Sequence, residues 1–425
     1  MSKLINKGMG LYIHIPFCVS KCAYCDFLSF EGVCEGVHER YVRALIAEMR
    51  YAVAGAPSVN LKALRSEVTK QTSKICNLSS SRSLDCFATL AMTEWPVDTV
   101  YIGGGTPTAL PPHLLCEILR EAQRFNLTPD AEITLEMNPS TNVSSVLSEY
   151  ASHGVNRLSI GLQAWQDEFL RGLRRAHTSA EFTQTMQAAR AAGIDNINVD
   201  LMFGLPWQSL WHWRESVTQV IAHAPAHISA YSLTPAENTP LWDALEAGKI
   251  GLPSESAERA MYHEAIRMLA EVGYEHYELS NFAKPGRESR HNVNCWLRKP
   301  YLGLGLGAHS FDGERRWRNT FDMGRYLDVW GVSGPGKEGT ESAREDLENL
   351  SRRDAMAETM FLGLRMAKGV NPQEFFRIYG QQLSECYGKE LEMLASKGLI
   401  SYAPEKVTLT TLGMDLANQV FEVFL

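Results

Sequence analysis

A strand followed by a helix recurs about six times in the first 250 residues, and this repeat limits the possible folds more than any other feature. The predicted strands are apolar runs that begin at Leu11, Asp98, Ala131, Arg157, Asn196 and His227. Such alternation produces a parallel sheet covered by helices, and right-handed crossovers curl that sheet toward a barrel. We therefore predict an α/β fold with a partial (β/α)6 barrel over residues 1–250. An open doubly wound sheet is the alternative that periodicity leaves open.

Polar or glycine-rich motifs follow several of these predicted strands. Gly-Gly-Gly-Thr-Pro occupies positions 103–107, and the polar residues are Glu136, Gln163, Arg175 and Asp200. Barrels build their sites at the carboxyl ends of the strands, and glycines let a backbone approach a ligand closely. The sequence thus predicts a ligand-binding rim at this end of the barrel.

Three cysteines follow the first predicted strand, which Pro16 ends. Cys18, Cys22 and Cys25 have C-x3-C-x2-C spacing, so their thiols can turn toward one point. A structural zinc site needs a fourth ligand, whereas an iron–sulfur cluster held by three thiolates leaves one iron open for a small molecule. An open-site cluster is our prediction, and zinc is the weaker alternative.

With Tyr24 before the last cysteine, this motif resembles that of the radical S-adenosylmethionine enzymes. The resemblance implies a [4Fe–4S] cluster with Cys18, Cys22 and Cys25 as ligands. It also implies that the fourth iron chelates S-adenosylmethionine, whose one-electron cleavage releases a 5′-deoxyadenosyl radical.

Within that superfamily the chain is similar to oxygen-independent coproporphyrinogen III oxidase and to the HemW-type haem chaperones. The matching segments are 12–18, 103–107, 136–139, 159–163 and 200–206. The resemblance implies that three residues contact the S-adenosylmethionine on the cluster: Tyr12, Gly104 and Glu136. It implies that five others contact a second such molecule or line its space: Gly105, Thr106, Gln163, Arg175 and Asp200.

A further motif, His291-Asn292-Val293-Asn294-Cys295-Trp296, resembles the H-N-x-x-Y-W motif with which haem binding is associated in these chaperones. The resemblance implies that His291 is a haem-iron ligand. Cys295 stands where the family has tyrosine, and a cysteine thiolate could itself ligate haem. The alternative is a histidine hydrogen-bonded in a structural loop.

The residue two positions after the third cysteine distinguishes the oxidase from the haem chaperone. The oxidase has a fourth cysteine there and a longer N-terminal extension, whereas this chain has Phe27 and a short segment before Tyr12. We therefore expect a haem chaperone that delivers haem to an acceptor haemoprotein, such as a membrane-associated one, and that lacks coproporphyrinogen dehydrogenase activity. The alternative is the oxidase, which decarboxylates two propionates. An electron donor is required if S-adenosylmethionine is cleaved.

The remaining chain divides into three predicted parts. An irregular Ser-, Thr-, Lys- and Arg-rich insert covers about 56–94, and a barrel-capping segment with the haem motif covers 251–345. Helices, a β-ribbon and a last helix over 414–424 predict a C-terminal winged-helix-like α+β domain over 346–425. This domain resembles that of the oxidase family.

Composition limits partners and location. A formal net charge of -8 argues against a nucleic-acid partner, since such surfaces are normally basic. We expect a cytoplasmic protein, because the sequence lacks the apolar stretch of a signal peptide or membrane span. We expect it to be a monomer or a dimer.

Overall fold

A computed structural model describes residues 8–54, 95–140, 143–331 and 343–425. The predicted insert at 56–94 lies outside the described residues.

The described strands are β1 (Met9–Ile15), β2 (Phe17–Cys18), β3 (Phe30–Glu31), β4 (Val97–Gly104), β5 (Leu127–Met137), β6 (Arg157–Gln163), β7 (Asn196–Phe203), β8 (His227–Ser232), β9 (Glu275–Glu278), β10 (Asn281–Ala283), β11 (Tyr301–Leu304), β12 (His309–Phe311), β13 (Arg315–Asn319), β14 (Arg344–Asn349), β15 (Ile400–Ala403) and β16 (Lys406–Leu409).

The described α-helices are α1 (Glu35–Ala54), α2 (Pro112–Ala122), α3 (Ser144–Ser152), α4 (Asp167–Gly172), α5 (Ser179–Ala191), α6 (Leu210–Ala222), α7 (Pro240–Glu246), α8 (Glu255–Glu271), α9 (Arg290–Trp296), α10 (Met323–Trp330), α11 (Arg352–Arg365), α12 (Pro372–Tyr379), α13 (Leu383–Ser396), α14 (Thr411–Asp415) and α15 (Ala417–Glu422).

The predicted six-strand barrel is confirmed by the sheet topology. Strands β1, β4, β5, β6, β7 and β8 are neighbours in chain order, and each pair is parallel. A doubly wound sheet would reverse the strand order at a switch point, so the alternative topology is wrong. On the far side of β1 the sheet continues through β11, which is also parallel, to β14, and beyond β8 it continues through β10 to β9.

Residues of the barrel strands alternate between an apolar and a polar face. In β6, Leu158 and Ile160 belong to the apolar core, whereas Arg157 and Ser159 line a cavity inside the curled sheet. Because strand side chains alternate between faces, one face of each strand packs on the helices and the other faces the barrel interior. The barrel therefore has a polar interior.

The C-terminal part has a core of its own. An antiparallel ribbon of β15 and β16 follows α13, and residues such as Met360, Leu391 and Val407 form a separate apolar cluster. The single helix expected over 414–424 is wrong. Leu416, at φ −116° and ψ 30°, breaks it into α14 and α15, and Val420 packs in the same core. The predicted domain boundary at 345/346 falls within β14, which pairs with β13.

No helix within the described ranges combines the length and the apolar character that crossing a bilayer requires.

Candidate functional site

A cavity of ≈ 490 Å³ opens at the carboxyl ends of the parallel strands. Most of the predicted site residues line it: Cys18, Cys22, Cys25, Gly104, Gly105, Thr106, Glu136, Gln163, Arg175 and Asp200. Tyr12 and His291 are not among the lining residues. The structure thus brings the predicted rim and the cysteine loop to one opening.

The cysteine loop is attached to the barrel wall by main-chain hydrogen bonds. The Ala23 N–H donates to the Leu173 carbonyl at 3.0 Å, and the Leu241 N–H donates to the Ala23 carbonyl at 2.8 Å. Cys22 and Cys25, on either side of this attachment, are half-buried and form no disulfide. The loop therefore holds its thiols at the cavity instead of in solvent.

A polar network joins two of these cysteines. The Arg175 guanidinium donates to Cys22 Sγ at 3.2 Å and to Asn138 Oδ1 at 2.5 Å. Asn138 Nδ2 donates to Thr106 Oγ1 at 3.1 Å. Thr106 Oγ1 in turn lies 3.7 Å from Cys18 Sγ. These contacts hold the Cys22 and Cys18 sulfurs at the cavity opening.

The donor set fits a polynuclear cluster better than a single ion. Burial raises the pKa of the Cys25 thiol, and the charges of Cys22 and Cys18 raise it further because the three sulfurs are near one another. Yet no three His, Cys, Asp or Glu side chains in the described ranges are placed to hold one metal ion. An iron–sulfur cluster accepts each thiolate on a different iron, so its ligands need not converge on one atom.

Glu136 is a half-buried residue at the carboxyl end of β5. Its Oε1 accepts from the Tyr101 hydroxyl at 2.6 Å, and its Oε2 accepts from the Gly104 N–H at 3.1 Å. Burial, followed by the nearby charge of Asp200, raises the pKa of Glu136 to about 7. The group can therefore exchange a proton near neutral pH.

The glycines after β4 are needed for contacts within the protein. A Cβ at Gly104, where φ is +112°, would lie 2.3 Å from His14 Nδ1, and one at Gly105 would lie 2.6 Å from the Phe17 carbonyl oxygen. Real Cβ atoms do not approach other atoms so closely. The sequence predicts that these glycines contact a ligand, and in the structure they also allow β4 and the residue after it to lie against β1 and β2.

Asp200 and Gln163 complete the rim on neighbouring strands. Asp200 accepts from Asn198 Nδ2 at 2.7 Å and from Ser159 Oγ at 3.4 Å, and burial raises the pKa of this carboxyl. Gln163 has a left-handed backbone at φ 75°, and its Oε1 accepts from the Tyr231 hydroxyl at 2.7 Å. A left-handed non-glycine residue is uncommon and occurs often at functional sites.

Tyr12 lies on the inner face of β1, where its hydroxyl bonds to a histidine. His14 Nε2 lies 3.1 Å from the Leu28 carbonyl oxygen and so carries a proton. His14 Nδ1 therefore accepts from the Tyr12 hydroxyl at 3.0 Å. Tyr12 is thus linked through His14 to Leu28, at the end of the cysteine loop.

His291 and Cys295 differ in their suitability as iron ligands. His291 is only 7% exposed, its Nδ1 lies 3.0 Å from Thr99 Oγ1, and burial and then Arg157 lower its pKa to about 4. Burial raises the pKa of the Cys295 thiol to about 11. At neutral pH the imidazole is neutral, as ligation requires, whereas the thiol keeps its proton.

Several polar residues of the cavity were not predicted from the sequence: Tyr101, Asn138, Arg157, Asn198, His227 and Tyr231. Arg157 is 2% exposed, and its Nε has no hydrogen-bond partner in the described part of the chain. Most of these residues occupy alternate positions in predicted strands, next to apolar ones. This two-residue alternation of polar and apolar residues is the sequence signal that could have identified them as cavity-lining residues.

Comparison with family models matches two segments. Residues 85–220 match the radical SAM superfamily, a segment that begins after the cysteine loop, and residues 350–416 match the HemN C-terminal domain.

Comparison with whole proteins extends the likeness over almost the entire chain. The chain is 33% identical over 417 residues to "Heme chaperone HemW" of Bacillus subtilis, covering 97% of this chain and 98% of that protein. It is 30% identical to the protein of the same name from Escherichia coli, covering 98% of each. It is also 30% identical to "Radical S-adenosyl methionine domain-containing protein 1, mitochondrial" of Mus musculus, over 92% of this chain and 81% of that protein.

Among solved structures, coproporphyrinogen III oxidase (HemN) from Escherichia coli is similar with a TM-score of 0.78 at 21% identity. The match covers 99% of this chain and 90% of that one. At this identity the likeness shows a shared fold.

Proposed function

The chain belongs to the HemW family of haem chaperones, and from this membership we propose that it binds haem and delivers it to acceptor haemoproteins. The observation that carries the proposal is that the similarity runs through the whole chain, including the haem-motif segment and the C-terminal part. Membership also implies a [4Fe–4S] cluster and S-adenosylmethionine, for which the cavity offers suitable groups.

In this proposal Cys18, Cys22 and Cys25 hold the cluster, which when bound supplies an open iron for the amino and carboxylate groups of S-adenosylmethionine. Arg175 can also pair with a carboxylate, since its buried Nε has no partner among the described residues. The Glu136 carboxylate provides an acceptor for ribose hydroxyls or an ammonium group, and the Tyr101 hydroxyl and the Gly104 N–H hold it in place. Gln163 and Asp200 extend the same rim.

His291 is the proposed haem ligand, because its imidazole is neutral whereas the Cys295 thiol stays protonated. His291 is 7% exposed, so haem ligation there would require access to a buried imidazole. Thiolate ligation further requires a reducing compartment such as the cytoplasm. A membrane-associated haemoprotein as acceptor, and an electron donor for any cleavage of S-adenosylmethionine, belong to this proposal.

The residue after the cysteine loop favours the chaperone over the oxidase. Phe27 lines the cavity mouth with 65% of its surface exposed, and it offers no donor atom to a cofactor. The fourth cysteine of the oxidase motif therefore has no substitute at this position.

One anaerobic preparation tests both functions. The reconstituted chain should contain iron and sulfide and take up haem, and it should leave coproporphyrinogen III unconsumed in the presence of S-adenosylmethionine and a reductant. Conversion to protoporphyrinogen IX would establish the oxidase instead. Cys22→Ala should lose most of the iron, whereas Cys116→Ala, at a buried cysteine of α2, should keep it.

A histidine pair tests the haem ligand. His291→Ala should alter the haem spectrum, because bound haem would lose its proposed protein ligand. His309→Ala, in β12, should leave the spectrum unchanged. An unchanged spectrum in His291→Ala would remove His291 as the ligand without affecting the cluster assignment.

A further inference from the structure

A series of hydrogen bonds connects Asp200, at the rim of the cavity, to the residue before α9. Asn198 Nδ2 donates to Asp200 Oδ1 at 2.7 Å, and His227 Nδ1 lies 2.6 Å from Asn198 Oδ1. His227 Nε2 lies 2.8 Å from the Tyr277 hydroxyl, which accepts from the Ser289 N–H at 3.3 Å. The four residues other than Asp200 are all buried. We call these five residues the Asp200 network.

The bonds of this network fix the state of the His227 ring. Asn198 Oδ1 can only accept a hydrogen bond, so His227 Nδ1 carries a proton. Burial, and then the charge of Arg157, hold the pKa of His227 well below its usual range, so the ring is neutral and its Nε2 accepts from the Tyr277 hydroxyl. Every donor therefore points toward the Asp200 carboxylate, and hydrogen bonds aligned in this way strengthen one another.

The tautomer of His227 decides which end of the Asn198 amide meets Asp200. If Nε2 carried the proton instead, Nδ1 would need a donor, and the amide would have to turn its nitrogen to the ring and its oxygen to the carboxylate. Two acceptors would then face each other. His227 thus keeps the Asn198 amide nitrogen against Asp200 Oδ1, and this bond fixes the carboxylate.

Asp200 retains acceptor capacity for a ligand. Ser159 Oγ donates to its Oδ2 at 3.4 Å, near the limit of a hydrogen bond, whereas an ionised carboxylate offers about four acceptor sites. Asp200 lines the cavity, so a ligand there can reach it.

We propose that His227 is a positioning residue for the binding of S-adenosylmethionine. Through the Asn198 amide it holds the Asp200 carboxylate in the orientation that accepts a hydroxyl or ammonium group of the ligand. This inference rests on the proposed binding of S-adenosylmethionine and adds a residue that acts on it through another.

The test is titration of the reconstituted full-length chain with S-adenosylmethionine. Asp200→Asn should weaken binding, because an amide group replaces the carboxylate. His227→Leu removes the ring's donor and acceptor and should weaken the same affinity about tenfold, as the loss of a hydrogen bond to a charged group does. His227→Gln, which has both a donor and an acceptor, should retain most of the affinity.

A double substitution separates positioning from a general effect on folding. With Asp200→Asn already present, His227→Leu should cause no further loss of affinity, because the carboxylate that it positions is gone. Tyr277→Phe keeps the size of the ring and removes the hydroxyl that sets the tautomer, so it tests the same link if His227→Leu does not fold. It should weaken binding about threefold.

The matched control is His276→Leu, at a half-buried histidine of β9 outside the Asp200 network, which should bind S-adenosylmethionine as the unaltered chain does. Unchanged affinity in Asp200→Asn, in folded His227→Leu or in Tyr277→Phe would overturn the positioning role. An equal loss from His227→Leu with and without Asp200→Asn would overturn it too. An unaltered chain that binds no S-adenosylmethionine would instead overturn that part of the proposed function.

Discussion

At the residue scale, the half-buried carboxyl of Glu136 couples barrel stability to pH. Its pKa rises from the usual 4.5 to about 7 because it is buried and because Asp200 is near. The folded state therefore binds the proton more tightly than the unfolded state does. The resulting stabilisation is fully present below about pH 4.5, and it disappears as the pH rises through about 7. A shift of this size corresponds to about 3 kcal/mol.

We expect Glu136→Gln to remove this dependence, since glutamine does not titrate. Between pH 5 and pH 8 the free energy of unfolding of the unaltered, cluster-free chain should fall by up to about 3 kcal/mol relative to that of Glu136→Gln. Urea denaturation at the two pH values measures the difference. Glu168→Gln, at an exposed carboxyl of α4, should keep the original dependence, and identical pH slopes in all three chains would refute the prediction.

At the scale of secondary-structure elements, Glu358 joins α11 to the barrel. It accepts from Arg298 and Arg316, and both Glu358 and Arg298 are largely buried. We expect Glu358→Gln to lower the free energy of unfolding by about 2 kcal/mol, because it leaves two guanidinium groups without a counter-charge. The measurement is chemical denaturation at neutral pH.

The matched control is Glu374→Gln in α12. Glu374 pairs with Arg377 at 3.1 Å, but both side chains are more than half exposed. Water screens such a pair, so the expected loss is below about 0.5 kcal/mol. Similar losses in the two variants would show that the Glu358 pair does not anchor α11.

At the scale of the whole molecule, the described residues form separate apolar cores in the barrel and in the C-terminal part. We expect them to unfold in distinguishable steps. Leu391→Ala should destabilise the C-terminal core by about 2–5 kcal/mol, the usual loss for a buried leucine, and should leave exchange in the barrel strands unchanged. Hydrogen exchange measured by segment distinguishes the two parts.

Leu158→Ala in β6 is the reciprocal variant, and it should act on the barrel core. If each variant lost protection from hydrogen exchange in both the barrel and the C-terminal part, the molecule would unfold as one unit. In that case the contact between α9 and α11 would couple the two cores more strongly than their separate clusters suggest.

The sequence by itself determined the barrel and the location of its site. Strand and helix periods are local properties, so the six strands, their order and the cysteine loop followed from residues close together in the chain. The end at which Glu136, Gln163 and Asp200 would meet also followed, because the carboxyl ends of parallel strands share one edge.

Only the tertiary structure decided which side chains serve the site and which brace the fold. In the structure Gly105 faces the Phe17 carbonyl, Tyr12 bonds to His14, and Arg157 lines the cavity. The hydrogen bond between Arg298 and Glu358 joins residues 60 positions apart in the chain. These contacts depend on strand pairing and helix packing between distant segments, and no local pattern encodes the distance between two such atoms.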